Sequence, residues 1–110
     1  MTEITFYRNE EEAYTGFRVD GHAGYAEEGE DIVCAAISAL TTNTINSIME
    51  FTEDEPDIDE DEEEGYMDVS FFEVPGHDTQ LLIRSLAFGL SNIEAEAEYS
   101  DFIHVMFEEV

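Results

Sequence analysis

One cysteine and one histidine are the residues best suited to chemistry in this sequence. Cys34 is the chain's only cysteine, and it follows His22 by twelve residues within the stretch GHAGYAEEGEDIVCAAIS. A cysteine attacks as a thiolate, so it needs a favourable electrostatic setting, access to solvent and a nearby base. The loop 23–30 contains two glycines and can fold back far enough to bring the imidazole within about 3 Å of the sulfur. The spacing permits a nucleophilic pair, and it equally permits a small buried thiol with no chemistry.

The sequence after the loop predicts that Cys34 lies in the first turn of a helix. Asp31 has the side chain of an N-cap residue. The residues that follow repeat at intervals of three and four positions, which predicts a helix of about five turns; they are Val33, Ala36, Ile37, Leu40, Thr44 and Ile48. Free backbone N–H groups at a helix start stabilise an anion, so they could favour the thiolate and hold a developing oxyanion. Ser38, one turn further on, is predicted to project beside Cys34.

Acidic residues close to the thiol oppose this chemistry. Glu27, Glu28, Glu30 and Asp31 all lie within seven residues of Cys34, and nearby carboxylates raise the pKa of a thiol. A reactive Cys34 therefore requires that the imidazolium and the helix start outweigh these acids, or that the acids point into solvent. The sequence leaves both arrangements open.

The remaining pattern predicts one α+β domain over residues 1–110. Two short strands around 4–8 and 14–19 form a hairpin, and strands at 66–74 and 99–107 alternate with helices from 31 and over 79–98. The predicted order is β-β-α-β-α-β, in two layers, with a mixed four-stranded sheet and two helices. Residues 53–64, which carry ten acids, are predicted to be a solvated connection.

The charge of the chain restricts its partners. It has 29 acidic residues against three basic ones and a formal net charge of −26. Such a surface repels phosphate backbones, which disfavours direct nucleic-acid binding, and it attracts basic proteins. No apolar run of membrane-spanning length and no signal-peptide pattern is apparent, so we expect a cytoplasmic protein with no membrane partner. A single cysteine cannot form an intrachain disulfide, which agrees with a reducing compartment.

Metal sites are weakly supported. Asp57, Asp59 and Asp61 alternate like the start of an EF-hand loop, but Glu62 occupies the position where that loop needs glycine. Cys34 with His77 or His104 lacks the paired-ligand spacing typical of zinc sites. The sequence therefore predicts no metal, and His77 and His104 are interpreted as structural or surface residues.

Two sequence blocks resemble the ribosomal-processing cysteine protease family, Prp. The first block is G-H-A, and the second has the form D-x-V-C-A-A-x-S; together they comprise Gly21, His22, Ala23, Asp31, Val33, Cys34, Ala35, Ala36 and Ser38. The resemblance extends over essentially the whole chain, including the opening hairpin, the Leu-rich second helix and the final strand.

This resemblance implies a thiol protease with Cys34 as the nucleophile and His22 as the proton-transferring partner. It implies an α+β fold, usually a homodimer, with no metal or organic cofactor. It also implies a substrate, because family members remove an N-terminal extension from a large-subunit ribosomal protein by cutting after a Phe pair. Gly21, Asp31, Ala35 and Ser38 are then supporting residues. We expect acidic surface to steer the basic substrate, and a groove near Tyr25 and Ala35 to accept the Phe pair.

Two other classes of function remain open from the residues alone. A non-catalytic adaptor could bind basic ribosomal proteins during ribosome assembly through its acidic surface, without any reactive thiol. A nucleic-acid mimic could use the same charge to block a DNA- or RNA-binding protein. The adaptor predicts that His22→Ala leaves the modification kinetics of Cys34 unchanged, and the mimic predicts tight binding to its target that Cys34→Ala does not affect.

Overall fold

Five strands form one mixed sheet, and two helices pack on it. The structure is a computed structural model that describes residues 1–27 and 31–110. The elements are β1 (Thr2–Arg8), β2 (Tyr14–Asp20), α1 (Ile32–Phe51), β3 (Asp57–Asp61), β4 (Tyr66–Ser70), α2 (His77–Ala95) and β5 (Ile103–Glu109). The strand order is β3-β4-β2-β1-β5, with β1 and β5 parallel and the other neighbours antiparallel.

The predicted α+β class with two helices and a mixed sheet is confirmed, but the predicted four strands and the order β-β-α-β-α-β are wrong. The described chain runs β-β-α-β-β-α-β, because residues Asp57–Asp61 of the predicted acidic connection form β3. All five side chains of β3 are exposed. The strand exists through backbone pairing with β4, from Asp57 opposite Ser70 to Asp61 opposite Tyr66, and a strand that buries no side chain leaves no alternation of apolar residues in the sequence.

The core lies between one face of the sheet and the two helices. In β1, Thr2, Ile4 and Phe6 are buried and alternate with more exposed residues, as expected for a strand covered on one side. The helices contribute matching apolar stripes, which include Val33, Ile37, Ile45 and Ile48 of α1 and Ile83, Leu86, Ala87 and Leu90 of α2. Ala23, next to His22, and Val33, next to Cys34, belong to the same core, and Cys34 packs against it.

Several predicted boundaries shift. Strand β4 ends at Ser70 rather than Val74, and Phe72 beyond it is 95% exposed. Helix α2 spans His77–Ala95 rather than 79–98, and β5 begins at Ile103. By length and a mean hydropathy of 1.4, α1 could cross a membrane. Six of its residues are nevertheless buried within this fold, which is the arrangement of a core helix.

Candidate active site

The turn that follows β2 requires glycine at position 21. Gly21 has a φ of +92°, and a Cβ added there would lie 2.7 Å from the Met1 carbonyl oxygen. Its N–H donates to the carbonyl of Gly65 at 2.9 Å. The first residue of the G-H-A block therefore ties the end of β2 to the turn between β3 and β4.

Ala23 brings the histidine loop against the thiol. Its side chain is 1% exposed, and its N–H donates to Cys34 Sγ at 3.2 Å. A small residue is needed here because the backbone approaches the sulfur directly.

His22 is oriented by the turn between β3 and β4. Its Nε2 lies 3.2 Å from the carbonyl oxygen of Glu63. A carbonyl only accepts hydrogen bonds, so Nε2 is the donor in this contact, and the tautomer with its proton on Nε2 leaves Nδ1 as an acceptor. Within residues 1–27 and 31–110 no hydrogen bond joins the imidazole to Cys34. The structure thus orients the imidazole without bonding it to the cysteine.

Asp31 connects the loop to the start of α1, and its predicted role as N-cap is confirmed. Its Oδ1 accepts from the N–H groups of Val33 and Cys34, both at 3.0 Å. Its Oδ2 accepts from the N–H of Tyr25 at 3.0 Å and of Ala26 at 3.4 Å. One carboxylate therefore fixes both the helix that carries Cys34 and the loop that follows His22.

This cap changes the expectation for an oxyanion site. The N–H groups of Val33 and Cys34 are bonded to the Asp31 side chain, and that of Ala35 donates to the Asp31 carbonyl at 3.0 Å. These amides cannot hold a developing oxyanion unless the cap opens. The helix start, predicted to supply oxyanion donors, is therefore occupied in this state.

The pKa values of Asp31 and Tyr25 are shifted by burial and by hydrogen bonds at this site. Burial acts to raise the pKa of Asp31, but hydrogen bonds from the backbone N–H groups of Cys34, Ala26 and Tyr25 outweigh it and lower that pKa from its usual 3.8. The hydrogen bond from the Tyr25 hydroxyl to Glu98, at 2.9 Å, raises the pKa of Tyr25, with burial adding to it. Asp31 thus remains a carboxylate at neutral pH. Its charge serves the helix start rather than pointing into solvent.

Two clefts meet at Cys34, and His22, Cys34 and Ser38 line both. The first, called here the small-residue cleft, measures about 400 Å³ and is completed by Gly24, Ala26, Asp31 and Ala35. The second, the acidic cleft, measures about 370 Å³. Its other lining residues include Thr41, Thr42, Glu60, Asp61, Glu62, Tyr66 and Met67. Cys34 itself is half-buried, so a ligand in either cleft can reach its sulfur.

Other predicted residues fall into three groups. Ala35 lines the small-residue cleft, whereas the Tyr25 ring packs on Tyr99 and Phe102 with ring centroids 5.6 and 5.1 Å apart. Glu27 is exposed, while Glu28, Gly29 and Glu30 lie outside the described residues. His77 and His104 lie beside Asp78 and Glu94 respectively, on the surface.

The described residues contain no group of three side chains suited to a metal ion. Asp57, Asp59 and Asp61 lie at alternate positions of β3, so their side chains stand side by side along an extended strand. An EF-hand needs a loop that wraps these ligands around one point. The strand geometry therefore argues against the calcium interpretation.

Sequence reasoning missed the Glu63 carbonyl as the partner of His22. A main-chain carbonyl has no residue signature, and the turn lies within the acidic run. Gly65 is the available indication, because it has a φ of +66° and a Cβ there would lie 3.1 Å from Cε1 of His22. A glycine after an acidic run can mark a tight hairpin turn.

Comparisons with known proteins agree on one family. The family model described as "Cysteine protease Prp" matches residues 1–104. The ribosomal processing cysteine protease Prp of Staphylococcus aureus is 32% identical over 108 residues, covering 98% of this chain and 100% of the relative. Its Bacillus subtilis counterpart is 31% identical over 112 residues, covering 96% of each chain.

A solved structure of the S. aureus protease, in complex with a covalently linked product peptide, has a TM-score of 0.91 and 30% identity to this chain. It covers 98% of this chain and 100% of that one. A structure of the S. aureus protease with a substrate peptide has a TM-score of 0.87 over the same coverage. The chain is therefore a cysteine protease and belongs to the Prp family.

Proposed function

We propose that this chain removes the N-terminal extension of a large-subunit ribosomal protein by cutting after a Phe pair, with Cys34 as nucleophile and His22 as proton carrier. The observation that carries the proposal is the position of Cys34, half-buried at the start of α1 between two clefts that both include His22. An endopeptidase must hold chain on both sides of the scissile bond, and two clefts that meet at a thiol suit that need.

The relatives support the chemistry and the substrate class. The S. aureus proteins that this chain resembles are ribosomal processing proteases, and one holds a covalently linked product peptide. A covalent link to product is expected of a nucleophilic mechanism. The G-H-A and D-x-V-C-A-A-x-S blocks are intact in this chain, which supports the same roles for His22 and Cys34.

The proposed reaction uses the free nitrogen of His22. Nδ1 takes the proton from Cys34 Sγ, and the thiolate attacks the scissile carbonyl carbon to form a tetrahedral adduct. The adduct collapses to a thioester while Nδ1–H gives its proton to the leaving amine. Nδ1 then takes a proton from water, whose oxygen attacks the thioester and releases the acid and the thiol. Glu63 is a positioning residue in this scheme, through its carbonyl bond to Nε2.

The small-residue cleft is the proposed site for the Phe pair. Its wall includes Gly24, Ala26 and Ala35, and small side chains leave the room that bulky aromatic rings require. Burial of one Phe side chain contributes roughly 1.5–3 kcal/mol relative to exposure. Such a cleft selects large apolar residues on the side of the bond that it accommodates.

The proposed partner is a basic ribosomal protein, and the proposed setting is a cytoplasmic homodimer without metal or organic cofactor. A net charge of −26 attracts a basic protein and repels RNA. Leu81 and Phe88 of α2 are 51% and 69% exposed, and they offer apolar surface that a second copy would cover.

Mass spectrometry of an extended ribosomal protein after incubation with this chain tests the proposal. Loss of the extension after the Phe pair is expected with the unmodified chain under reducing conditions. Cys34→Ala and His22→Ala, each checked for folding by circular dichroism, are expected to leave the extension in place. Cleavage by the Cys34→Ala form, or an intact substrate with the folded unmodified chain, would contradict the proposed function.

A further inference from the structure

Strand β3 forms an open edge of the sheet. Within the described ranges, 1–27 and 31–110, it pairs with β4 on one side only. An edge strand presents a row of free N–H and C=O groups, to which an extended peptide can add as a further strand. Its length of five residues is enough to hold a short segment of chain in register.

The side chains of this edge carry uncompensated negative charge. Four of its five residues are acidic and every one is exposed. In the part of the chain that the structure describes, no ion pair involves β3. Arg18, on the β2 strand beyond β4, lies 3.7 Å from Asp20 and stacks over the Tyr66 ring at 4.7 Å, so its charge is already engaged.

The open edge is continuous with the candidate active site. Glu60 and Asp61 of β3, with Glu62 of the following turn, line the acidic cleft together with Cys34 and His22. The same turn supplies the Glu63 carbonyl that orients His22. The small-residue cleft shares His22, Cys34 and Ser38 with the acidic cleft, and its lining residues include none from β3.

We propose that β3 and the acidic cleft form a docking edge for an extended basic segment of the substrate, on the side of the scissile bond opposite the Phe pair. This inference rests on the proposed function, because the Phe pair in the small-residue cleft directs the chain after the cut into the acidic cleft. The segment adds to β3 as an antiparallel or parallel strand, and its Lys or Arg side chains lie opposite Asp57, Asp59 and Asp61, which share one face of β3.

The charge of the edge selects this occupant over a second copy of the chain. Two β3 edges paired together would place acids opposite acids, which destabilises a strand pair. Opposite charges across a strand pair are favourable instead. A basic extended peptide satisfies both the backbone edge and the side chains.

Binding to the inactive Cys34→Ala chain tests the docking edge separately from cleavage. The probe is a fluorescent peptide with a Phe pair followed by a segment in which Lys alternates with Thr, and its Kd is measured by anisotropy. The variant Asp57→Asn/Asp59→Asn/Asp61→Asn is expected to weaken binding about tenfold, as three lost cross-strand charge pairs suggest. The amide oxygen of Asn can still accept the turn hydrogen bonds that Asp61 Oδ1 accepts from the N–H groups of Glu63 and Glu64. The matched control Glu10→Gln/Glu96→Gln/Asp101→Asn removes the same charge from exposed sites elsewhere and is expected to change Kd less than twofold.

Equal weakening by the two triple variants would overturn the docking edge and leave only general attraction by net charge. Strand addition has a second requirement, because alternate peptide N–H groups face β3. Two peptides are compared, one N-methylated at the odd positions of the basic segment and the other at the even positions. Only one of these two sets of N–H groups faces β3, so the Kd values are expected to differ by at least about fivefold. Equal Kd values for the two would also overturn it.

Cleavage by the unmodified chain separates this inference from the proposed function. A peptide with the Phe pair and Gln in place of Lys is expected to be cut, with a higher KM than the Lys peptide. If neither peptide nor the extended ribosomal protein is cut, the proposed function fails. If the peptides are cut equally well and the β3 variant behaves like its control, the proposed function stands and the docking edge fails.

Discussion

The loop that carries His22 and the hairpin that carries β3 meet at one cleft, yet they are held in different ways. In the loop, Gly21, Ala23 and Asp31 each make a contact that only a few residue types could make. In the hairpin, the β3 side chains are all exposed, and the strand is held by backbone pairing.

This contrast teaches where substitution should matter in each region. In the loop, the identity of a side chain sets the position of the reactive groups, so single changes should alter the chemistry. In the hairpin, the backbone orients His22 through Glu63 and the side chains contribute charge. Single changes among the exposed β3 side chains should alter binding and leave the chemical step nearly intact, whereas a change that moves the turn backbone should alter the chemical step.

The largest expected effect comes from Gly65, which lies in the hairpin turn and accepts a hydrogen bond from the N–H of Gly21. In Gly65→Ala, a new Cβ would lie 2.9 Å from the Gly21 carbonyl and 3.1 Å from Cε1 of His22. We expect kcat/KM to fall at least about tenfold, because a small displacement of a catalytic base is costly.

Gly24→Ala is the comparison for Gly65→Ala. Gly24 has a φ of +75°, and a Cβ added there would meet no atom within 4 Å, so the substitution strains the backbone without touching His22. Because Gly24 lines the proposed site for the Phe pair, Gly24→Ala should act mainly by raising KM, whereas Gly65→Ala should lower kcat. If Gly24→Ala lowers kcat as much as Gly65→Ala, the contact with His22 is not the cause.

The next effect concerns Asp31 and stability. Asp31→Ala removes the N-cap and both loop contacts, so the free energy of unfolding should fall by about 0.5–2 kcal/mol at pH 7. Urea unfolding followed by circular dichroism measures it. Glu10→Ala, at an exposed turn residue, serves as the control and should change stability by less than about 0.5 kcal/mol.

The pH dependence of the Asp31 contribution sharpens this prediction. The pKa of Asp31 in the folded chain lies below its usual 3.8. The ionised carboxylate therefore stabilises the fold at pH values above 3.8, and this contribution is lost as the pH falls through the folded pKa. The difference in unfolding free energy between the unmodified chain and Asp31→Asn should therefore shrink as the pH falls from about 5 to about 2. A difference that stays constant over this range would contradict the assigned cause.

A smaller effect is expected from salt. Raising ionic strength from about 0.05 to 0.5 M screens the attraction between an acidic protein and a basic substrate. We expect kcat/KM for the Lys peptide to fall about threefold, with kcat nearly unchanged, and the Gln peptide to respond less. Identical salt responses for the two peptides would remove electrostatic attraction from the account.

The smallest effect is expected at Ser38. Its side chain is exposed and lines both clefts, and within the described residues its hydroxyl makes no hydrogen bond to the protein. Ser38→Ala should change kcat/KM by less than about twofold and leave the unfolding free energy unchanged. A tenfold loss would show that the hydroxyl contacts the reacting groups once substrate is bound.

Much of the fold could be predicted because its elements carry periodic patterns. The first hairpin, α1 and its Asp31 cap followed from alternation, helical spacing and a capping residue. Strand β3 could not be predicted in this way, because none of its side chains enters the core. Its only apolar residue, Ile58, is 41% exposed.

The candidate site divides in the same way. The residues proposed to carry the chemistry, His22 and Cys34, were apparent from residue chemistry and from the two motif blocks. The backbone N–H groups at the start of α1 are occupied because the Asp31 carboxylate accepts hydrogen bonds from them. The His22 ring is oriented by the main-chain carbonyl of Glu63. Neither is specified by residue type, so both required three-dimensional structure.

The most direct test of the central claim is the rate of Cys34 alkylation by iodoacetamide as a function of pH, in the unmodified chain and in His22→Ala. If His22 is the proton partner of Cys34, removal of the imidazole should slow alkylation at neutral pH by about tenfold and move the profile to higher pH. Superimposable profiles would contradict the Cys–His pair, and they would favour an acidic binding protein whose thiol does no chemistry.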